Sequence, residues 1–162
     1  MVRLIQHNCV RLYEWTIVAL ETGVECRTDV VCLQEPPREK GGLGIGHSAY
    51  EIRKRKRVWT AIQRGSGLVV DEWTDLSRGA NDDVIGTEGR RRGETITRIV
   101  NIYHQTDTQS GERPGRKLNR QSVIGQGGTV LAGDFNTNST QWDPRCQVQR
   151  NAMFWEAVID HN

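Results

Sequence analysis

The segment TVLAGDFN, residues 129–136, constrains the fold more than any other part of the sequence. Its β-prone start, followed by a small residue and a glycine, predicts a buried strand over 129–132. That strand runs directly into two polar side chains, Asp134 and Asn136, which are two residues apart. A strand end with a carboxylate and a carboxamide suits a metal ion, a water molecule or a phosphate group. We expect the rest of the chain to supply partners to this strand end.

The length and composition predict a single globular domain over residues 1–162. Hydrophobic residues make up 36% of the 162 residues and charged residues 26%, which is typical of a soluble domain with its own core. No run approaches the roughly 18 apolar residues of a membrane-spanning helix. No secretory signal is evident at the N-terminus, so we expect an intracellular location and no membrane partner.

The four cysteines favour free thiols over a metal site. None forms a C-x-x-C pair, and Cys9 and Cys32 lie within apolar, strand-like runs. This spacing argues against structural zinc and predicts buried thiols in a reducing compartment.

Positive charge is locally concentrated although the net charge is only +2. An unbroken basic run covers residues 53–57, and a second covers 90–92. Such patches suit a polyanion such as DNA, but a solvated surface or a nuclear-import signal explains the first run equally well. The candidate nucleic-acid contacts are Arg53, Lys54, Arg55, Lys56, Arg57 and Arg91.

Periodicity and turn residues predict an α/β chain. A strand over 2–9 precedes a helix over 11–22, whose core-facing residues are expected to be Leu12, Trp15, Ala19 and Leu20, with Gly23 as its C′ residue. The apolar run 29–34 predicts a strand buried on both faces, which Pro36 and Pro37 end. Further strands are predicted over 58–63 and 68–73, joined as a hairpin by residues 64–67, and over 83–86 and 95–103, and further helices over 116–124 and 148–159.

Polar residues gather at the predicted strand ends, where ligands collect in sheets of this class. Glu35 suits a hard cation such as Mg²⁺, with Asn8 as a neutral neighbour. Asp134 suits the orientation or deprotonation of a water molecule. Asn136 and Tyr103 suit hydrogen-bond donation to a phosphate. Together these residues point to metal-assisted hydrolysis of a phosphate ester.

Four segments in this order resemble the endonuclease/exonuclease/phosphatase superfamily: IQHN (5–8), CLQEP (32–36), IVNIY (99–103) and LAGDFN (131–136). Three others are similar to the AP-endonuclease-like endonuclease domain of non-LTR retrotransposons, especially fungal ones: SRGANDD (77–83), RRRGE (90–94) and QWDPRC (141–146). The resemblance spans nearly the whole chain.

The resemblance implies a fold, a cofactor and a reaction. The fold is a four-layer α/β sandwich of two packed mixed sheets flanked by helices. The cofactor is Mg²⁺ or Mn²⁺, and the reaction is phosphodiester cleavage, here the nicking of target DNA in the nucleus to prime reverse transcription. By motif position, Asn8 and Glu35 match the residues of the family's metal site, and Tyr103 matches its active-site tyrosine. Asp134 and Asn136 match its catalytic Asp-x-Asn pair.

The C-terminal end departs from the family pattern. The family ends on an Asp-bearing strand followed by a Ser-Asp-His-like or Ile-Asp-Leu-like strand, and neither is found here. We reject Ile159-Asp160-His161 as a match because it directly follows the helical pattern of 148–159. Asn138 also stands where relatives often have a histidine. We therefore expect a domain that is incomplete at its C-terminus, with reduced or no activity.

Alternatives stay open for both residues and function. Each candidate residue also fits a purely structural role. Asn8 fits the cap of the following helix, Glu35 fits a solvated strand end, and Tyr103 fits a core position. Asp134 and Asn136 suit an Asx turn. The functional alternatives are an inactive remnant that at most binds nucleic acid, and a phosphatase or phosphodiesterase acting on a small-molecule or lipid phosphate.

Overall fold

The computed structural model describes residues 2–38, 44–73, 83–94, 96–103 and 128–134. The elements in chain order are β1 (Leu4–Asn8), α1 (Tyr13–Glu25), β2 (Val30–Gln34), β3 (Tyr50–Lys54), β4 (Val58–Gln63), β5 (Val69–Glu72), β6 (Val84–Arg90), β7 (Thr97–Tyr103) and β8 (Thr129–Asp134). The helices predicted over 116–124 and 148–159 lie outside the described residues.

Two four-stranded mixed sheets form the body of the fold. The first has the order β1-β2-β4-β3 and the second β5-β6-β7-β8. Each sheet has one parallel pair, β1 with β2 and β7 with β8, while its other pairs are antiparallel. At the carboxyl ends of the parallel pairs, Asn8 lies opposite Gln34 and Tyr103 opposite Asp134. The predicted α/β class with two mixed sheets is confirmed.

Strand β2 lies at the centre of the layers, and all five of its residues are buried. Val31 and Leu33 pack in the cluster that includes Ala19 and Leu20 of α1. Val30 and Cys32 pack instead with residues of the second sheet, which include Ile99 and Ala132. Helix α1, the first sheet and the second sheet are therefore stacked in that order, and the predicted burial of this strand on both faces is confirmed.

Helix α1 begins two residues later than predicted and turns a different face to the core. Its buried residues are Thr16, Ala19, Leu20 and Gly23. Leu12 and Trp15 are each 48% exposed, so their predicted core positions are wrong. The reason lies before the helix, where Val10 and Arg11 adopt left-handed φ angles of 49° and 60°. These residues form a turn in place of a first helical turn.

Gly23 lies inside α1 and is not the predicted C′ residue. The helix continues to Glu25, and a side chain at position 23 has no space. A Cβ atom on Gly23 would lie 2.5 Å from the Tyr50 hydroxyl oxygen and 2.7 Å from Cγ2 of Val31. Glycine therefore permits close contact between the helix and the first sheet.

The predicted hairpin between 58–63 and 68–73 is also wrong. Its connection contains Gly65 and Gly67, with φ angles of 76° and 72°, but it carries the chain from the first sheet to the second. Strand β4 pairs instead with β2 and β3. Strand β3 was not predicted because charged residues dominate its sequence, YEIRK. The turn between β3 and β4, residues 55–57, contains the second half of the first basic run.

Three cysteines fall within the described residues, and all are free. Cys9 and Cys32 are buried as predicted, whereas Cys26 is exposed. Burial raises the pKa of the Cys32 thiol to about 12. In the part of the chain that the structure describes, no helix has the length and apolar character to span a membrane.

We expect Gly23→Ala to lower the free energy of unfolding by about 1–3 kcal/mol because the new methyl group overpacks this contact. Alanine's higher helix propensity, about 1 kcal/mol, works in the opposite direction. Urea denaturation measures the change. In a Tyr50→Phe background the loss should shrink, since the nearest atom is then removed.

Gly46→Ala is the matched control, because nothing lies within 4 Å of a Cβ atom at Gly46. A stabilised Gly23→Ala variant, or an equal loss with and without the Tyr50 hydroxyl, would contradict the proposed contact.

Candidate active site

The carboxyl ends of the two parallel strand pairs meet at one edge of the stacked sheets. The Asn8 Nδ2 atom of β1 donates a hydrogen bond of 2.6 Å to Oδ2 of Asp134 in β8. This bond joins residues 126 positions apart in the chain. Two of the polar strand ends predicted from the sequence are therefore in direct contact across the two sheets.

Asn8 also shapes the turn that follows it. Its Oδ1 atom accepts a hydrogen bond of 2.9 Å from the backbone N–H of Val10. The N-cap residue of α1 is Leu12, and no side chain caps the helix there. Asn8 is therefore not the helix cap that we considered as an alternative.

Glu35 is held firmly on the turn after β2. Its φ angle is 45°, in the left-handed region. Its N–H donates to the Arg57 carbonyl at 2.8 Å, and its own carbonyl accepts from the Arg11 N–H at 2.7 Å. Its side chain is only 16% exposed and accepts a hydrogen bond of 3.0 Å from Arg11 Nη2. The alternative of a solvated strand end does not describe this residue.

Tyr103 interacts with both acidic residues of the site, Glu35 and Asp134. Its backbone N–H donates to the Asp83 carbonyl at 2.8 Å, and its side chain is buried. Burial raises the pKa of the Tyr103 phenol to about 12, with a hydrogen bond to Glu35 and the negative charges of Glu35 and Asp134 adding to the rise, while Arg11 opposes it. The phenol therefore stays protonated at neutral pH and remains a hydrogen-bond donor.

The arrangement thus brings oxygen atoms and negative charge together at one edge of the two stacked sheets. Glu35 and Asp134 both act on the Tyr103 phenol, and Asn8 contacts Asp134. Carboxylate and amide oxygens are the ligands that hard cations such as Mg²⁺ prefer, with water molecules completing the shell. Among the described residues, no three His, Cys, Asp or Glu side chains converge on a common point. Asn136 lies outside these residues.

The basic run 53–57 is divided between protein contacts. Arg53 donates to the Val70 carbonyl at 2.6 Å and Lys54 to the Ile45 carbonyl at 2.6 Å. The run also forms ion pairs, which include Arg55 with Glu72 at 3.1 Å and Arg57 with Asp83 at 3.4 Å. The turn that includes Arg57 contacts the residue after β2, since the Arg57 carbonyl accepts the Glu35 N–H.

Arg91 also has a partner within the protein. Its guanidinium donates to the carboxylate of Asp29, whose side chain is 1% exposed. The second carboxylate oxygen of Asp29 accepts the Arg3 N–H at 2.7 Å. The structure therefore places Arg91 in a buried ion pair.

Sequence analysis missed a polar network behind the site. Gln6 donates to Gln34 at 2.9 Å, and Gln34 donates to Asn101 at 2.6 Å. Asn101 donates in turn to the Trp59 carbonyl at 2.7 Å. The signal was available, because Gln34 and Asn101 are polar residues within apolar strands, and buried polar groups require partners.

The comparisons with known proteins support the fold. No protein-family model matches the chain, and no curated protein matches it. The structure is similar to the endonuclease domain of TRAS1, a telomere-specific non-LTR retrotransposon, with a TM-score of 0.76 and 15% sequence identity. The similarity covers 99% of this chain and 70% of that chain. At this identity it establishes a shared fold.

We expect Val10→Gly to raise the free energy of unfolding by up to about 1 kcal/mol. Val10 is a β-branched residue at a φ angle of 49° and is 62% exposed. Glycine removes the steric cost of the left-handed conformation while little packing is lost. Urea denaturation of both proteins measures the change.

Val18→Gly provides the control, since Val18 is 50% exposed but lies in the interior of α1. There the same substitution should lower stability by roughly 0.5 kcal/mol. A loss of stability in both variants would contradict the strain at Val10.

We also expect the contribution of the Tyr103 hydroxyl to stability to fall as the pH rises from about 10 to about 12. The pKa of this phenol is about 12 in the folded chain against an ordinary value of 10.0, so the folded state keeps the proton longer. The contribution is therefore complete below pH 10 and is lost as the pH approaches 12.

The measurement is the difference in free energy of unfolding between the native chain and Tyr103→Phe, at several pH values from 8 to 11.5. The difference should change by less in a Glu35→Gln background, which removes one of the negative charges. A difference that does not vary with pH would contradict the proposed environment of Tyr103.

Proposed function

We propose that this chain is a metal-dependent phosphodiesterase domain that nicks DNA, of the type found in non-LTR retrotransposons. The observation that carries the proposal is the bond between Asn8 and Asp134, beside Glu35 and Tyr103. It brings the carboxyl ends of strands from both sheets into one acidic site. The fold shared with a retrotransposon endonuclease domain supports the same proposal.

The residues present fit a hard divalent cation. Glu35, with Asn8 as a neutral neighbour, would hold Mg²⁺ or Mn²⁺ through oxygen atoms. The carboxylate of Glu35 already accommodates a cation, the guanidinium of Arg11 at 3.0 Å. When bound, the metal supplies positive charge that polarises a phosphoryl oxygen.

Asp134 is proposed to orient and deprotonate the attacking water molecule. The hydrogen bond from Asn8 to its Oδ2 atom fixes the plane of the carboxylate. A general base must lie within hydrogen-bond reach of the proton that it accepts, so a fixed carboxylate favours this role.

Tyr103 is proposed to donate a hydrogen bond to a non-bridging phosphate oxygen. Its raised pKa keeps the donor proton in place over the whole physiological range. A fixed donor directed at an oxygen that gains negative charge stabilises the transition state. We propose the same role for Asn136, on the basis of its motif position.

DNA is the proposed substrate, and a nuclear location follows from it. The turn of residues 55–57 lies beside the site, because the Arg57 carbonyl accepts the Glu35 N–H. Its three basic side chains contribute positive charge there. Backbone phosphates that pass the site would meet this turn. Arg53, Lys54 and Arg91 contribute less in this proposal, since they lie outside this turn and their head groups contact protein acceptors.

Nicking of supercoiled plasmid DNA in Mg²⁺ tests the proposal. We expect Glu35→Ala and Asp134→Ala to reduce the rate about 10²–10⁴-fold, and EDTA to abolish it. Asp71→Ala is the control, because it removes an exposed carboxylate from β5 and should leave the rate unchanged. Equal rates in all variants would contradict the proposal.

The same samples separate the alternatives. Salt-dependent binding of DNA without any cleavage would favour an inactive remnant that binds nucleic acid. Hydrolysis of p-nitrophenyl phosphate in place of plasmid nicking would favour a phosphatase.

A further inference from the structure

Arg11 stands out among the residues around the site because nothing in the proposed reaction uses it. Its Nη2 atom lies 3.0 Å from Oε1 of Glu35. Glu35 is 16% exposed at the side chain, whereas the Arg11 side chain is 59% exposed. The arginine is therefore the more exposed member of the pair.

The backbone under Arg11 is fixed although its side chain is exposed. The residue has a φ angle of 60°, and its N–H donates to the Glu35 carbonyl at 2.7 Å. The next residue, Leu12, donates to the Cys9 carbonyl at 2.8 Å. Left-handed backbone at a non-glycine residue persists where the surroundings hold it, and it is frequent at ligand clamps.

The chemistry of the side chain suits a phosphate. A guanidinium presents five donors in a planar fork and binds phosphate oxygens through two parallel hydrogen bonds. The Arg11 side chain is 59% exposed, so its guanidinium is accessible to a second acceptor. Arg11 also lowers the pKa of the Tyr103 phenol, against the effect of Glu35 and Asp134, so it lies near Tyr103 as well as Glu35.

We infer that Arg11 is the ligand of the substrate phosphate in this site, and that it exchanges Glu35 for a phosphate oxygen when a divalent cation binds Glu35. In the chain without substrate, Arg11 neutralises Glu35. In the complex, it binds a non-bridging oxygen of the phosphodiester beside Tyr103. This inference rests on the proposed function and adds a residue that recognises the phosphate.

The inference predicts opposite effects of one substitution on two ligands. Arg11→Ala removes a cation that competes for Glu35, so Mn²⁺ should bind about fivefold more tightly. The same substitution removes a phosphate contact, so DNA should bind more weakly and with less salt dependence. A residue that merely held Glu35 in position would weaken Mn²⁺ binding when removed.

Isothermal titration with Mn²⁺ gives the first readout. Arg55→Ala is the matched control, because Arg55 also pairs with a glutamate, Glu72, at 3.1 Å. It should leave the Mn²⁺ affinity unchanged, and Arg11→Lys should stay close to the native chain. Glu35→Ala should abolish binding and thereby reports on the proposed metal site itself.

Fluorescence anisotropy with a labelled 25-base-pair duplex gives the second readout, in Ca²⁺ and in EDTA, with the DNA checked for cleavage afterwards. The slope of log affinity against log salt should fall by about 0.9 for Arg11→Ala in Ca²⁺. In EDTA it should fall by less, because Arg11 then stays on Glu35. If Arg55→Ala changes this slope, it should do so equally in Ca²⁺ and in EDTA. Arg11→Lys should give the slope of the native chain.

The outcomes separate the two proposals. The metal site stands if Glu35→Ala abolishes Mn²⁺ binding. The role of Arg11 is then overturned by either of two results: Arg11→Ala weakens Mn²⁺ binding, or it changes neither the Mn²⁺ affinity nor the salt dependence of DNA binding. If the native chain binds no Mn²⁺, the proposed function and the role of Arg11 are both overturned.

Discussion

The hydrogen bond from Gln34 to Asn101 determines how the two sheets lie against each other. It is 2.6 Å long, and both residues are fully buried. Asn101 donates as well to the Trp59 carbonyl in the first sheet, so any slip between the sheets would leave buried polar groups without partners, a cost of about 1–3 kcal/mol each. Glu35 directly follows Gln34, and Tyr103 lies two residues after Asn101. The relative position of the candidate catalytic groups is therefore set by this bond.

The site itself is built on strained backbone. Val10, Arg11 and Glu35 all have left-handed φ angles, and the Arg11 N–H is bonded to the Glu35 carbonyl. Each such residue costs on the order of 1–3 kcal/mol and persists only when neighbouring contacts hold it. Here the sheets behind the site provide that support. The turns that hold Arg11 and Glu35, together with the end of β7, bring a guanidinium, a carboxylate and a phenol close together. Positioned groups of this kind favour electrostatic stabilisation of a phosphate.

The sequence predicts the strand ends of this fold well because their pattern is local. Apolar runs that end in Asn8, Glu35, Tyr103 and Asp134 identify the polar groups, and parallel pairing brings them to one edge. The choice of strand partners is a different matter, because it depends on contacts between distant segments. The glycines of 64–67 are equally compatible with a hairpin and with the observed passage between sheets. The exposure of Trp15 and the helical position of Gly23 follow from the preceding left-handed turn and from Tyr50, neither of which periodicity detects.

The central claim is that groups from both sheets form one site for a divalent cation and a phosphate. A crystal structure of the chain soaked in MnCl₂, with anomalous scattering from the metal, tests it most directly. The claim predicts an anomalous peak within about 2.1–2.3 Å of a Glu35 carboxylate oxygen, with Asn8 and Asp134 around it and Arg11 displaced from Glu35. An anomalous peak at other residues with none at Glu35, in a crystal where this carboxylate is accessible, would contradict it.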